Sequence, residues 1–138
     1  MIVDSSALVA VLRQEPDADV YDQAIATVGF ARLSAANYVE TALVIDGAGD
    51  PVASRELDHY LGVMRIELVP VTPAQAHLAR AALRDFGRGS GHPARLNYGD
   101  CFSYALAIDT GEPLLYKAPR KTGDTDFVHT DVRPAVPR

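Results

Sequence analysis

Five carboxylates in this chain are placed as a metal-binding cluster would place them. Asp4 closes the first apolar run, Glu40 sits one turn into an apolar helical stretch, Asp100 falls in the first turn of another, and Asp124 and Asp126 follow the last apolar run. Hard oxygen ligands far apart in sequence and gathered by folding suit a divalent cation such as Mg²⁺, with Mn²⁺ as the substitute. Two of these acids, Asp100 and Glu40, also have a plainer reading. Asp100 at a helix N-terminus is favoured as a cap and by the macrodipole. Glu40 is either desolvated at a buried edge, which is costly without a partner, or solvated on the outer face. The hydroxyls of Ser5 and Ser6, just after Asp4, are caps for the next helix, and Ser6 is also placed to bond a carboxylate. Together the five acids favour a metal site over unrelated placements.

Other chemistries find little support. Cys101 is the only cysteine, so it cannot form an intrachain disulfide, and its apolar neighbours mark it as a small core residue. His59, His77, His92 and His129 show no paired spacing for metal ligation or acid–base cleavage. The 138 residues suit one domain with a sizeable core. The net charge of −5 argues against a protein that coats nucleic acid through bulk positive charge. It leaves room for a nuclease whose acids crowd into one metal site beside a small basic patch. The start, Met-Ile-Val-Asp, carries neither a basic segment nor a long apolar one, so a cytoplasmic protein with no membrane insertion is expected.

The elements that must position these acids alternate. Ile2 and Val3 read as a strand ending at Asp4, then a helix through Leu12 stopped by Glu15-Pro16. Val20, Tyr21, Ala24, Ile25 and Val28 mark one face of a second helix that exits at Gly29. A strand over Phe30 to Leu33 precedes a helix from Ser34 in which Ala36, Val39 and Leu43 are expected to pack inward, with Glu40 beside that stripe. Leu57, Tyr60, Leu61 and Met64 show the spacing of an amphipathic helix. A strand from Ile66 to Val71 leads to the capping box Thr72-Pro-Ala-Gln75 and a helix to about Phe86. Gly87 to Arg95 reads as a mobile basic loop. The buried helix carrying Asp100 follows, then a strand at Leu114 to Tyr116, a polar loop from Lys117 to Asp126, and an edge strand from Phe127 to Val132. Residues 133–138 are expected to be a disordered tail. Alternating strands and helices imply an α/β fold whose parallel sheet gathers ligands at the strand carboxyl ends.

Four segments in this order, Met-Ile-Val-Asp-Ser-Ser-Ala-Leu-Val-Ala, Leu-Ser-Ala-Ala-Asn-Tyr-Val-Glu, Leu-Asn-Tyr-Gly-Asp-Cys-Phe-Ser-Tyr-Ala-Leu-Ala and Gly-Glu-Pro-Leu-Leu-Tyr-Lys, resemble the VapC-type PIN-domain ribonuclease toxins. The resemblance implies a PIN domain over residues 1–132, an α/β/α sandwich with a four- to five-stranded mainly parallel sheet. It further implies a Mg²⁺-dependent endoribonuclease, the toxin of a toxin–antitoxin pair, that hydrolyses RNA with metal-activated water. The family's acids carry over to Asp4, Glu40 and Asp100 as metal ligands and catalytic groups, and its hydroxyl to Ser6. One departure stands out. Relatives run almost directly from the lysine after the fourth strand to a Gly-Asp/Asn-Asp-Phe segment, whereas eight residues separate Lys117 from Asp126 here. Asp126-Phe127 keeps the tail of that pattern, so Asp126 is favoured as the fourth acid, with Asp124 as the alternative. Arg95 and Lys117, with Arg84, Arg88, Arg120 and Lys121, are candidates to hold the RNA backbone. Implied partners are RNA, a VapB-type antitoxin and a second copy of the chain.

Two rival readings compete with the nuclease. A receiver-like phosphate-transfer domain needs a second acid beside Asp4 or a phospho-accepting Asp on a central strand, and neither is present. A PIN fold made inactive by the insertion after Lys117, serving only to capture an antitoxin, is the other.

Overall fold

The computed structural model describes residues 1–136. Four strands, β1 (Ile2–Val3), β2 (Ala31–Ser34), β3 (Ile66–Val69) and β4 (Leu114–Leu115), form one parallel sheet in the order β3-β2-β1-β4. The helices are α1 (Ser5–Leu12), α2 (Ala18–Val28), α3 (Ala35–Gly47), α4 (Pro51–Val63), α5 (Pro73–Phe86) and α6 (Tyr98–Thr110), with a short 3₁₀ turn at Phe127–His129.

Strand alternation sorts the core into two layers. Ile2 and Leu114 face one cluster with Leu96, Tyr104, Leu106 and Phe127, against α5 and α6. Val3 and Leu115 face the other with Leu8, Tyr21, Ile25, Leu57 and Leu61, against α1, α2 and α4. This is the expected α/β sandwich, with four strands, all of them parallel. Among the described residues no helix is long and apolar enough to cross a membrane.

Three expectations are corrected. On α3 the buried positions are Asn37, Thr41 and Ile45, whereas Val39 and Leu43 are 64% and 75% exposed. The polar residues turn inward because their bonds are satisfied there: Asn37 Nδ2 donates across to the Gly99 carbonyl of α6, and Thr41 Oγ1 to the Asn37 carbonyl within α3. Phe127 to Val132 makes no strand; Asp126 caps the 3₁₀ turn and Phe127 plugs the core. The open edge of β4 is covered instead by the chain beyond. Leu114 N–H donates to Arg133 O, and Ala135 N–H donates back to Leu114 O, so this part of the expected tail is tied down. Residues 137–138 lie outside the described residues.

The N-termini of α1 and α6 and the loop after β4 meet at the carboxyl ends of the two adjacent strands β1 and β4. Open parallel sheets place their ligands in this region.

Candidate active site

Asp4 leaves β1 as the N-cap of α1, its Oδ2 accepting from both the N–H and the hydroxyl of Ser6. The cap is therefore Asp4 itself, not Ser5 or Ser6. Its other oxygen accepts from Ser103 Oγ on α6. Ser6 Oγ also accepts from the Lys117 N–H at 3.0 Å, which links α1 to the chain leaving β4.

Asp100 is held from the opposite side. Asn97 and Asp100 form a reciprocal capping box: Asn97 Oδ1 accepts from the Asp100 N–H at 2.9 Å, and Asp100 Oδ2 accepts from the Asn97 N–H at 2.7 Å. Thr125 Oγ1 donates to the same Oδ2 at 2.6 Å. Cap and site residue are thus one and the same.

Asp4 and Asp100 are 1% and 7% exposed and face a cleft of about 310 Å³ lined also by Ser6, Asn97, Lys117, Asp124 and Thr125. Glu40 comes from α3 and is half-buried, with Asn37 Nδ2 3.5 Å from its Oε1. Burial, then the charge of Asp4, pushes the Asp100 carboxyl up to about 7, with Glu40 adding and the Thr125 and Asn97 bonds opposing. Glu40 is also raised, by burial foremost and by Asp4, against hydrogen bonds from Ser5 and Asn37. Asp100 feels the charges of Asp4 and Glu40, and Glu40 that of Asp4, so the three lie within electrostatic reach.

No Lys, Arg or His forms an ion pair with any of these three acids among the described residues. Buried negative charge left uncompensated in this way fits a cation. The donors are all oxygen, the type that Mg²⁺ or Mn²⁺ accepts. No three acidic, histidine or cysteine side chains among the described residues form a ready cage. Mg²⁺ does not require one, because it keeps several waters and is held through one or two carboxylates plus substrate oxygens.

The late acids and the cations are arranged differently from expectation. Asp124 lines the cleft, its Oδ2 accepting from the N–H groups of Arg120 and Lys121. Asp126 is not among the lining residues; its Oδ1 caps the 3₁₀ turn at the Val128 N–H, and Oδ2 lies 3.7 Å from His129 Nε2. The inserted loop thus brings Asp124 and Thr125 to the cleft wall. Lys117 lines the cleft, but its ammonium is paired with Glu15 and lies 3.7 Å from Asp17. Arg95 is outside the lining set and braces the loop: its Nε donates to Gly123 O, and its carbonyl accepts from Thr125 Oγ1 and Arg88 Nε. Arg84 pairs with Asp85 on the surface of α5. Arg88 and Arg120 are the other cations of the cleft wall. Cys101 is buried and its thiol is pushed up to about 12, chiefly by that burial, so it is no nucleophile.

Asn37, Ser103 and Thr125 were not anticipated. Ser103 and Asn37 interrupt apolar helical faces, and that interruption is the signal they carry. Thr125 carries none, since a threonine in a polar insertion has no pattern to break.

The PIN domain family profile matches residues 1–132. The chain is 54% identical to ribonuclease VapC28 of Mycobacterium tuberculosis over 138 residues, covering 100% of this chain and 99% of that protein. Ribonuclease VapC42 of the same species is 49% identical over 135 residues, 98% of each. The crystal structure of M. tuberculosis VapC20, described as a Sarcin-Ricin loop cleaving toxin, superposes with a TM-score of 0.68 over 85% of this chain and 88% of that one, at 13% identity, a likeness of fold. With its acids at the carboxyl ends of β1 and β4 and a full-length match to these relatives, the chain belongs to the VapC-type PIN-domain toxins.

Proposed function

We propose that this protein is a metal-dependent endoribonuclease, the toxin of a toxin–antitoxin pair, acting at the cleft between Asp4 and Asp100. The observation that carries the reading is the pair of buried carboxylates, with the charge of Glu40 near enough to act on Asp100 and no cation paired with either acid among the described residues. The ribonuclease names of the full-length relatives support the choice of RNA.

Asp4 and Asp100 would hold the metal, with Glu40 as a third ligand or as the group orienting the attacking water. Bound there, Mg²⁺ would lower the pKa of a coordinated water and neutralise charge developing on the phosphoryl oxygens. Ser6, Ser103, Asn97 and Thr125 fix the rotamers of the two buried acids, so little reorganisation is left for the reaction itself. Glu40, its pKa raised by burial, takes up the proton that the attacking water releases. Arg88 carries no ion pair among the described residues and is the cation of the wall most open to a phosphate. Lys117 and Arg120 serve the loop first, through Glu15 and Asp17.

The same reading includes a VapB-type antitoxin and self-association as a homodimer. Exposed Val39, Leu43 and Val44 on α3 and Val52 on α4 give apolar surface for such contacts. The acidic cleft suits a basic side chain of a partner.

Purified, antitoxin-free protein is expected to cleave structured RNA with Mg²⁺ and to stop on addition of EDTA. Antitoxin binding without any cleavage would instead favour the inactive capture module.

A further inference from the structure

We propose that Gly99 is a positioning residue: its missing side chain makes the space in which the Glu40 carboxylate lies against the first turn of α6, beside Asp100. A Cβ at position 99 would stand 1.4 Å from Glu40 Oε2, 2.2 Å from Cδ and 2.7 Å from Oε1, so its three nearest atoms all belong to this one carboxylate. Backbone freedom does not explain the glycine. Gly99 is absent from the positive-φ positions and occupies the first turn of a helix, where alanine is the better residue.

Asn37 supports the same contact from the α3 side. Fully buried, it donates from Nδ2 to the Gly99 carbonyl at 2.9 Å and lies 3.5 Å from Glu40 Oε1. Its own carbonyl accepts from Ser5 Oγ, beside Asp4. Asn37 Oδ1 is buried with no hydrogen-bond partner among the described residues, a penalty that an apolar residue would avoid. The joint between α1, α3 and α6 thus accepts an unsatisfied amide and a helix glycine to set one carboxylate beside another.

The three atoms nearest a methyl at position 99 are the flexible end of Glu40, so the carboxylate, not the backbone, gives way. Two measurements test this. The first uses the metal-free protein and is independent of any activity: a thermal-stability cycle over Gly99→Ala, Glu40→Ala and the double variant. Gly99→Ala should raise the melting temperature in the Glu40→Ala background and fail to raise it, or prevent folding, in the parent. An equal shift in both backgrounds overturns the proposal.

The second measurement rests on the metal-dependent reading. By calorimetry Gly99→Ala should bind Mn²⁺ at least tenfold more weakly than the parent. Its kcat on RNA should fall while KM stays within about twofold, and Glu40→Asp, one methylene shorter, should recover part of both losses in the Gly99→Ala background. Parental Mn²⁺ affinity and kcat in Gly99→Ala overturn the positioning role. If the parent itself neither binds Mn²⁺ nor cleaves RNA, the metal-dependent reading fails, and the stability cycle still decides the contact.

Discussion

Asp100 carries the largest conflict in the molecule, because the fold buries it beside another acid that is buried more deeply. Its carboxyl, raised to about 7, gives the sign of a pH effect. Below about pH 4 the native and unfolded chains are both protonated there, and the native state bears no penalty. Between about pH 4 and 7 the unfolded chain ionises while the native chain keeps its proton, so stability falls as pH rises. Urea denaturation in EDTA should therefore show the parent losing on the order of 2–4 kcal/mol across that window from this group. Asp100→Asn should flatten the slope, be at least as stable as the parent at pH 8, and abolish cleavage. Thr125 acts on the same oxygen. Thr125→Val should lower kcat about tenfold, the equivalent of one charge-assisted hydrogen bond, and Thr125→Ser should restore most of it. An unchanged kcat in Thr125→Val would leave the hydroxyl without a catalytic part.

Helix α3 shows how apolar pattern and packing come apart at the level of an element. The spacing of Ala36, Val39 and Leu43 named a face, but the buried one runs through Asn37, Thr41 and Ile45. Polar groups turn inward there because α6 and the helix's own carbonyls satisfy them, and a count of apolar residues cannot register that. Ile45→Ala should cost about 2–4 kcal/mol in urea denaturation, whereas Leu43→Ala should stay within about 0.5 kcal/mol. Strong alternation and capping were legible: β1, the amphipathic α4 and the Thr72 cap stand where the residues place them. The insertion after Lys117 was not, because its structure rests on distant ion pairs. Glu15 and Asp17 hold Lys117 and Arg120, and Arg95 holds Gly123. Glu15→Ala should quicken trypsin cleavage at Lys117, Arg120 and Lys121 with only a small change in melting temperature. Unchanged proteolysis would show that the loop is held by other means.

Taken whole, the molecule brings an acidic chain to an acidic substrate, and the few cations of the cleft set how that binding responds to salt. With Arg88, Lys117 and Arg120 as the available contacts, log K for single-stranded RNA should fall against log salt with a slope no steeper than about −2. A slope several times larger would mean that RNA crosses surfaces far beyond the cleft. That Asp4, Glu40 and Asp100 share one electrostatic neighbourhood was readable from sequence, because Asp4 and Asp100 sit at helix starts and Glu40 stands within an otherwise apolar helical stretch. The choice between Asp124 and Asp126 was not, since it depends on the path of the inserted loop. The sheet order has one more consequence. The second residue of the chain lies in an interior strand, where the Ile2 N–H donates to Pro113 O and the Asp4 N–H to Leu115 O. A growing polypeptide therefore holds Asp4 without its seat until Leu115 has been made. The strand that seats this acid is the last of the four to leave the ribosome.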